Sequence, residues 1–252
     1  MANKLFSRVM GNGPDLVMVH GWGMSSAVWL EFAEALSKNY RVTCFDLPGH
    51  GFSSPIDSFN LDSIAETLLA QAPERACWLG WSLGAMVALK VTKKAPQRVS
   101  KLALLAGTAK FISSENWPGM EPEILDSFIS ALLKDHYKTL LRFLVLQGKG
   151  DVLKALRKRV AETPEPDDKT LEAGLAILKG ADLRTILAKI NCPVQFLMGS
   201  EDAVVPAALG EAMQTIQPSA QLDVIEGASH LPFLSHSDET VMLLSKFLHS
   251  DG

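Results

Sequence analysis

The chain has 252 residues, 47% of them hydrophobic, and a net charge of −4. That is enough apolar material for one sizeable core, and the acid excess argues against a general nucleic-acid binder, which needs a basic surface. No apolar run approaches the length that crosses a bilayer, residues 1–10 lack the apolar centre of a signal peptide, and Cys44, Cys77 and Cys192 have no metal-like spacing. The expectation is a soluble, cytoplasmic monomer with buried thiols, using neither metal nor organic cofactor.

Residues 4–9 alternate loosely and predict an edge strand, followed by turn chemistry at Gly11-Asn12-Gly13-Pro14. Residues 16–19 are continuously apolar, as in a strand covered on both faces, and stop at His20-Gly21-Trp22-Gly23. Trp29, Phe32, Ala33 and Leu36 then recur at helical spacing. A strand over 41–45 ends in Asp46-Leu47-Pro48-Gly49-His50-Gly51, and a helix covers 62–72. The next strand begins at Ala76 and runs into Gly80-Trp81-Ser82-Leu83-Gly84 and a helix, and a further strand spans 102–105.

From 111 to 180 only helical periods appear, at 124–133, 137–146, 152–160 and 171–178, with an acidic, proline-broken loop at 162–169. Alternation resumes with a strand at 194–198, a helix at 207–216, a strand at 222–225 and a helix at 239–248. Strands alternating with helices predict an α/β fold with a mostly parallel central sheet and helices on both faces. The helical stretch interrupts it as an inserted cap, so residues 1–110 and 181–252 form the core and 111–180 the lid.

The G-x-S-x-G segment sits between a strand and a helix. It therefore reads as a tight elbow with Ser82 at its apex, where flanking side chains must lack bulk. A serine hydroxyl is protonated at neutral pH and needs a base. Of the six histidines, His230 lies in a loop at the carboxyl end of the last strand, where sites in open α/β sheets are found. His20 and His50 sit beside glycines, where a structural hydrogen bond is the commoner job; His136 falls in the cap, and His236 and His249 flank the last helix. Asp202, in the turn after strand 194–198, is the expected acid, with Glu201 as its rival. Oxyanion donors are expected from the backbone N–H groups of Leu83 and Trp22.

These pieces resemble the α/β-hydrolase superfamily over nearly the whole chain, through His20–Gly23, 46–53, Gly80–Gly84, Asp202 with Val205-Pro206, and His230. The segments at 20–23, 78–84, 115–119 and 142–147 are further similar to the family of carboxylesterases acting on pimeloyl-acyl-carrier-protein methyl ester in bacterial biotin synthesis. That resemblance implies substrate contacts at Trp22, Ser82, Leu83, Phe143, Leu144, Val145, Leu146, Gln147 and His230, with acyl carrier protein as partner. Lys134, Lys138 and Arg142 recur every four residues and predict one basic helical stripe, and Lys154, Arg157 and Lys158 a second. Carrier contact is accordingly expected at Lys138, Arg142, Lys154, Arg157 and Lys158. Arg142 matches the family's lid arginines, whereas Lys138 and Lys154 lose bidentate geometry. A broader esterase, a thioesterase, a carbon–carbon hydrolase and a ligand-sensing receptor remain alternatives on the same fold.

Overall fold

A computed structural model describes residues 4–148 and 150–250. Its sheet contains β1 (Ser7–Met10), β2 (Asp15–Val19), β3 (Arg41–Phe45), β4 (Ala76–Trp81), β5 (Val99–Leu105), β6 (Val194–Gly199) and β7 (Gln221–Ile225), in the order β1-β3-β2-β4-β5-β6-β7. Only β1 pairs antiparallel; the remaining pairings are parallel. The sheet is mostly parallel with helices on both faces, as the strand–helix alternation indicates.

Period-two alternation divides the core. Leu16 and Met18 pack with α1 (Leu30–Leu36), α10 (Pro232–Ser235) and α11 (Ser237–His249), whereas Val17 and Val19 face α2 (Leu61–Leu69), α3 (Leu83–Lys94), α8 (Arg184–Leu187) and α9 (Ala208–Ile216). Because both faces are covered, β2 reads as an unbroken apolar run. Between β5 and α8 lie α4 (Pro122–Lys134), α5 (His136–Gln147), α6 (Gly150–Ala161) and α7 (Asp168–Gly180), with isolated bridges the only β pairing there among the described residues. No helix among the described residues is long and apolar enough to cross a membrane.

Several elements depart from the sequence reading. The first strand is displaced to Ser7–Met10, because its register is set by pairing with β3 from Ser7 opposite Phe45. The helices α8 and α10 have four residues each, too few to display a helical period. The stripe expected from Lys134, Lys138 and Arg142 is broken: Lys134 ends α4, and Asp135 caps α5 by accepting from the Lys138 N–H at 3.0 Å. Spacing alone cannot show such a cap overriding a continuous period. Of the thiols only Cys44 is fully buried, which pushes its pKa up to about 12; Cys77 and Cys192 are half-buried.

Arg159, on α6, is buried against the core, donating to Ala27 O at 3.1 Å and pairing with Glu31 on α1. His20 joins two loops at the carboxyl end of the sheet. Its Nε2 accepts from the Leu47 N–H at 2.9 Å, so the proton sits on Nδ1, which donates to Gly21 O at 2.8 Å. Burial lowers the His20 pKa to about 4 and, with His20 beside it, that of His50 to about 3.

The turn after β4 is set by contact. A Cβ on Gly80 would lie 2.2 Å from Gly84 O, and one on Gly84 would lie 2.2 Å from Val19 O and 2.7 Å from His20 O. These are backbone atoms that no side-chain rotation can clear. Gly84→Ala should therefore lower the unfolding free energy by about 2 kcal/mol or more, read from urea melts.

The histidines give a second expectation. Both have folded pKa values below their ordinary ones, so the unfolded chain binds more protons beneath pH 6.5. Their contribution is complete above pH 6.5 and is lost as pH falls towards 4 for His20 and towards 3 for His50. A His20→Gln variant, which cannot titrate there, should show a flatter dependence of the urea midpoint on pH across that window.

Candidate active site

Ser82 occupies the single residue between β4 and α3, with φ 55° and ψ −120°. An ordinary side chain rarely adopts that conformation. It is held by Ser82 N–H donating to Leu105 O at 3.1 Å, by Ala85 N–H donating to Ser82 O at 2.9 Å, and by the close packing around Gly80 and Gly84. The side chain is thereby turned toward a cavity of about 200 Å³ that it lines.

The turn after β6 delivers Asp202. Its N–H donates to Gly199 O at 3.3 Å, and its Oδ1 accepts from the N–H groups of Val204 and Val205 at 2.8 and 2.9 Å. The other oxygen, Oδ2, faces His230 Nδ1 at 2.7 Å. A carboxylate accepts only, so Nδ1 carries a proton and donates it to this bond, leaving Nε2 on the far side of the ring from Asp202. The structure pairs Asp202 with His230, while the side chain of the rival Glu201 is exposed.

His230 is fully buried and cannot wander. Trp81, the residue before the serine, donates from Nε1 to His230 O at 2.9 Å, and the two rings lie 5.5 Å apart. His230 Nε2 has no hydrogen-bond partner among the described residues, so the bond to Ser82 Oγ is not made in this structure. The elbow and the histidine loop are nonetheless direct neighbours through Trp81.

The His20–Gly23 loop packs against the serine, since a Cβ on Gly21 would lie 3.1 Å from Ser82 Cβ. Trp22 follows there, and Leu83 opens α3; neither N–H engages a backbone carbonyl among the described residues. The Trp22 ring reaches the cap, donating from Nε1 to Leu171 O at 2.9 Å and lying edge-on to Phe128 and Phe143. A Cβ on Gly174 would lie 2.5 Å from that indole, so α7 rests directly upon it.

The five consecutive residues at 143–147 do not share one direction, because a helix turns about 100° per residue. Phe143 and Leu146 line the serine's cavity, Leu144 is buried in the packing of α5 on the core, and Val145 is exposed. Gln147 is fully buried, and its carbonyl accepts from Ser229 Oγ at 2.8 Å, next to His230. Among the basic residues Lys138, Arg142, Lys154, Arg157 and Lys158 are exposed, and Lys154 pairs with Asp151 at 3.0 Å.

Sequence reasoning missed most of the cavity wall, including Phe111, Ile124, Phe128, Leu175 and Leu178. The only available signal was the apolar face of the cap helices, which marks burial without saying against what. Apart from Ser82 the lining is uncharged and almost wholly apolar. That arrangement suits a neutral, aliphatic group brought beside the Ser82 hydroxyl.

Residues 16–243 match the model of the alpha/beta hydrolase family. The chain is 40% identical over 251 residues to the pimeloyl-[acyl-carrier protein] methyl ester esterase of Methylococcus capsulatus, covering 98% of this chain and 99% of that protein. It is 39% identical over 254 residues to the enzyme of the same name from Aliivibrio fischeri, covering 99% of each. An esterase structure from Exiguobacterium antarcticum superposes with a TM-score of 0.90 at 22% identity, over 98% of this chain and 96% of that one. With its elbow, sheet order and match across nearly the full length, the chain belongs to the alpha/beta hydrolase family.

Proposed function

We propose that the chain is a serine carboxylesterase that hydrolyses the methyl ester of pimeloyl-acyl carrier protein methyl ester in biotin synthesis, releasing methanol. The near-full-length identity of about 40% to esterases named for that substrate carries the reading. The paired Asp202 and His230 beside the Ser82 elbow support the chemistry.

In this mechanism Ser82 Oγ rotates about χ1 to reach His230 Nε2, which takes its proton as Oγ attacks the ester carbonyl. Asp202 fixes the tautomer and stabilises the imidazolium. The N–H groups of Trp22 and Leu83 receive the tetrahedral oxyanion, and the imidazolium passes its proton to departing methanol. Water then attacks the acyl-enzyme by the same route. No step requires a metal or organic cofactor.

Residues 111–180 act as a lid over this site, with Phe143 and Leu146 toward the substrate side. Lys138 and Arg142 on α5, with Arg157 and Lys158 on α6, are the exposed charges suited to an acidic carrier protein. We place the enzyme in the cytoplasm as a monomer.

The test is incubation with methyl-pimeloyl acyl carrier protein and intact-mass detection of the loss that accompanies exchange of a methyl for a hydrogen. Ser82→Ala should abolish that change while preserving the fold by circular dichroism; an unchanged carrier mass with the wild-type enzyme would defeat the substrate assignment. Asp202→Asn should retain the fold and lower kcat by on the order of 10³–10⁴-fold, because the imidazole loses its held tautomer.

A further inference from the structure

The cavity over Ser82 is unequal on its two sides. Inward, it is walled by buried Trp22, Leu125 and Leu175, and by Phe128 and Phe143, whose ring centroids lie 5.7 Å apart. Outward, three lining residues are exposed: Ile124 on α4 at 57%, Leu146 on α5 at 55%, and Ala203 in the core loop beside Asp202. Single aliphatic side chains in water need no explanation. Two of them on separate helices, both bordering one opening onto a nucleophile's cavity, form a lipophilic rim.

A carrier-borne ester imposes a geometric demand. The reacting carbonyl must reach Ser82, which is 9% exposed, while the rest of the acyl chain trails back to a protein too large to enter. The chain must therefore cross the cavity wall, and it can do so where lining residues meet solvent.

We infer that the gap bounded by Ile124, Leu146 and Ala203 is the portal for the acyl chain, and that Ile124 and Leu146 grip the chain as it passes. Arg142 stands one helical turn before Leu146 on α5, on the same side of the helix, and is exposed. The identity of the carrier rests on the function proposed above; the portal itself applies to any acyl ester whose chain must extend out of the cavity. The partners of the gate come from α4, α5 and the loop after β6, so the specificity for chain length is set between cap and core.

The experiment compares kcat/KM for p-nitrophenyl octanoate with that for p-nitrophenyl acetate. In Ile124→Trp and Leu146→Trp the octanoate-to-acetate ratio should fall at least tenfold. In Leu133→Trp, an exposed residue of the same α4 that does not line the cavity, the ratio should stay at the wild-type value. Ratios unchanged in both portal variants would overturn the inference. Should the tryptophan variants fail to fold by circular dichroism, Ile124→Ser and Leu146→Ser decide it: KM should rise severalfold more for octanoate than for acetate, and equal changes would overturn it. If wild-type enzyme leaves the methyl-pimeloyl carrier intact, the substrate assignment fails while these ratios still judge the portal.

Discussion

At Ser82 the chain must leave a strand and begin a helix within one residue, and the neighbouring backbone leaves room for nothing larger than hydrogen at positions 80 and 84. That crowding fixes the fold and the site together. The same contacts that press α3 against the end of β2 force the serine into a positive-φ conformation and aim its hydroxyl out of the sheet. The strain is local and is compensated by burial on both faces of β4, whose neighbours β2 and β5 lie in the middle of the sheet. An edge strand could not hold such a turn so firmly.

Around that point the parallel sheet does geometric work. Parallel strands all end on the same side, so the loops after β2, β4, β6 and β7 meet there despite their separation along the chain. Those loops carry Trp22, Ser82, Asp202 and His230. Each is anchored by backbone groups as well as side chains: Asp202 by two N–H donors, His230 by the Trp81 indole, and the loop after β2 by the His20 bridge to Leu47. Preorganised acceptors and donors of this sort need no rearrangement when charge develops.

Much of this was legible before any coordinates. Strands 16–19 and 102–105 announced themselves because buried parallel strands are apolar throughout, and Ser82 because its glycines are demanded by contact. The choice between Asp202 and Glu201 was harder, and what decides it in space is the pair of N–H groups from Val204 and Val205 that locks the shorter side chain toward His230. What sequence could not supply was the cap's arrangement. Periodicity ran on through Asp135, where a cap ends one helix and starts another, and so joined Lys134 to residues on a different helix. Five consecutive residues of α5 were grouped toward substrate, although helical rotation sends Leu144 and Val145 elsewhere. Arg159 is buried against α1, which no spacing announces, because only packing reveals which face of α6 meets the core.

Trp22 belongs to the sheet by its backbone and to the cap by its ring. The N–H proposed to hold the oxyanion and the indole pinned by Leu171 and pressed by Gly174 are parts of one rigid residue between two short turns. Withdrawal of α7 would strip that indole of its acceptor and uncover an aromatic face in the same movement that releases the loop. The packing of α7 and the position of the loop after β2 are thus coupled through one side chain.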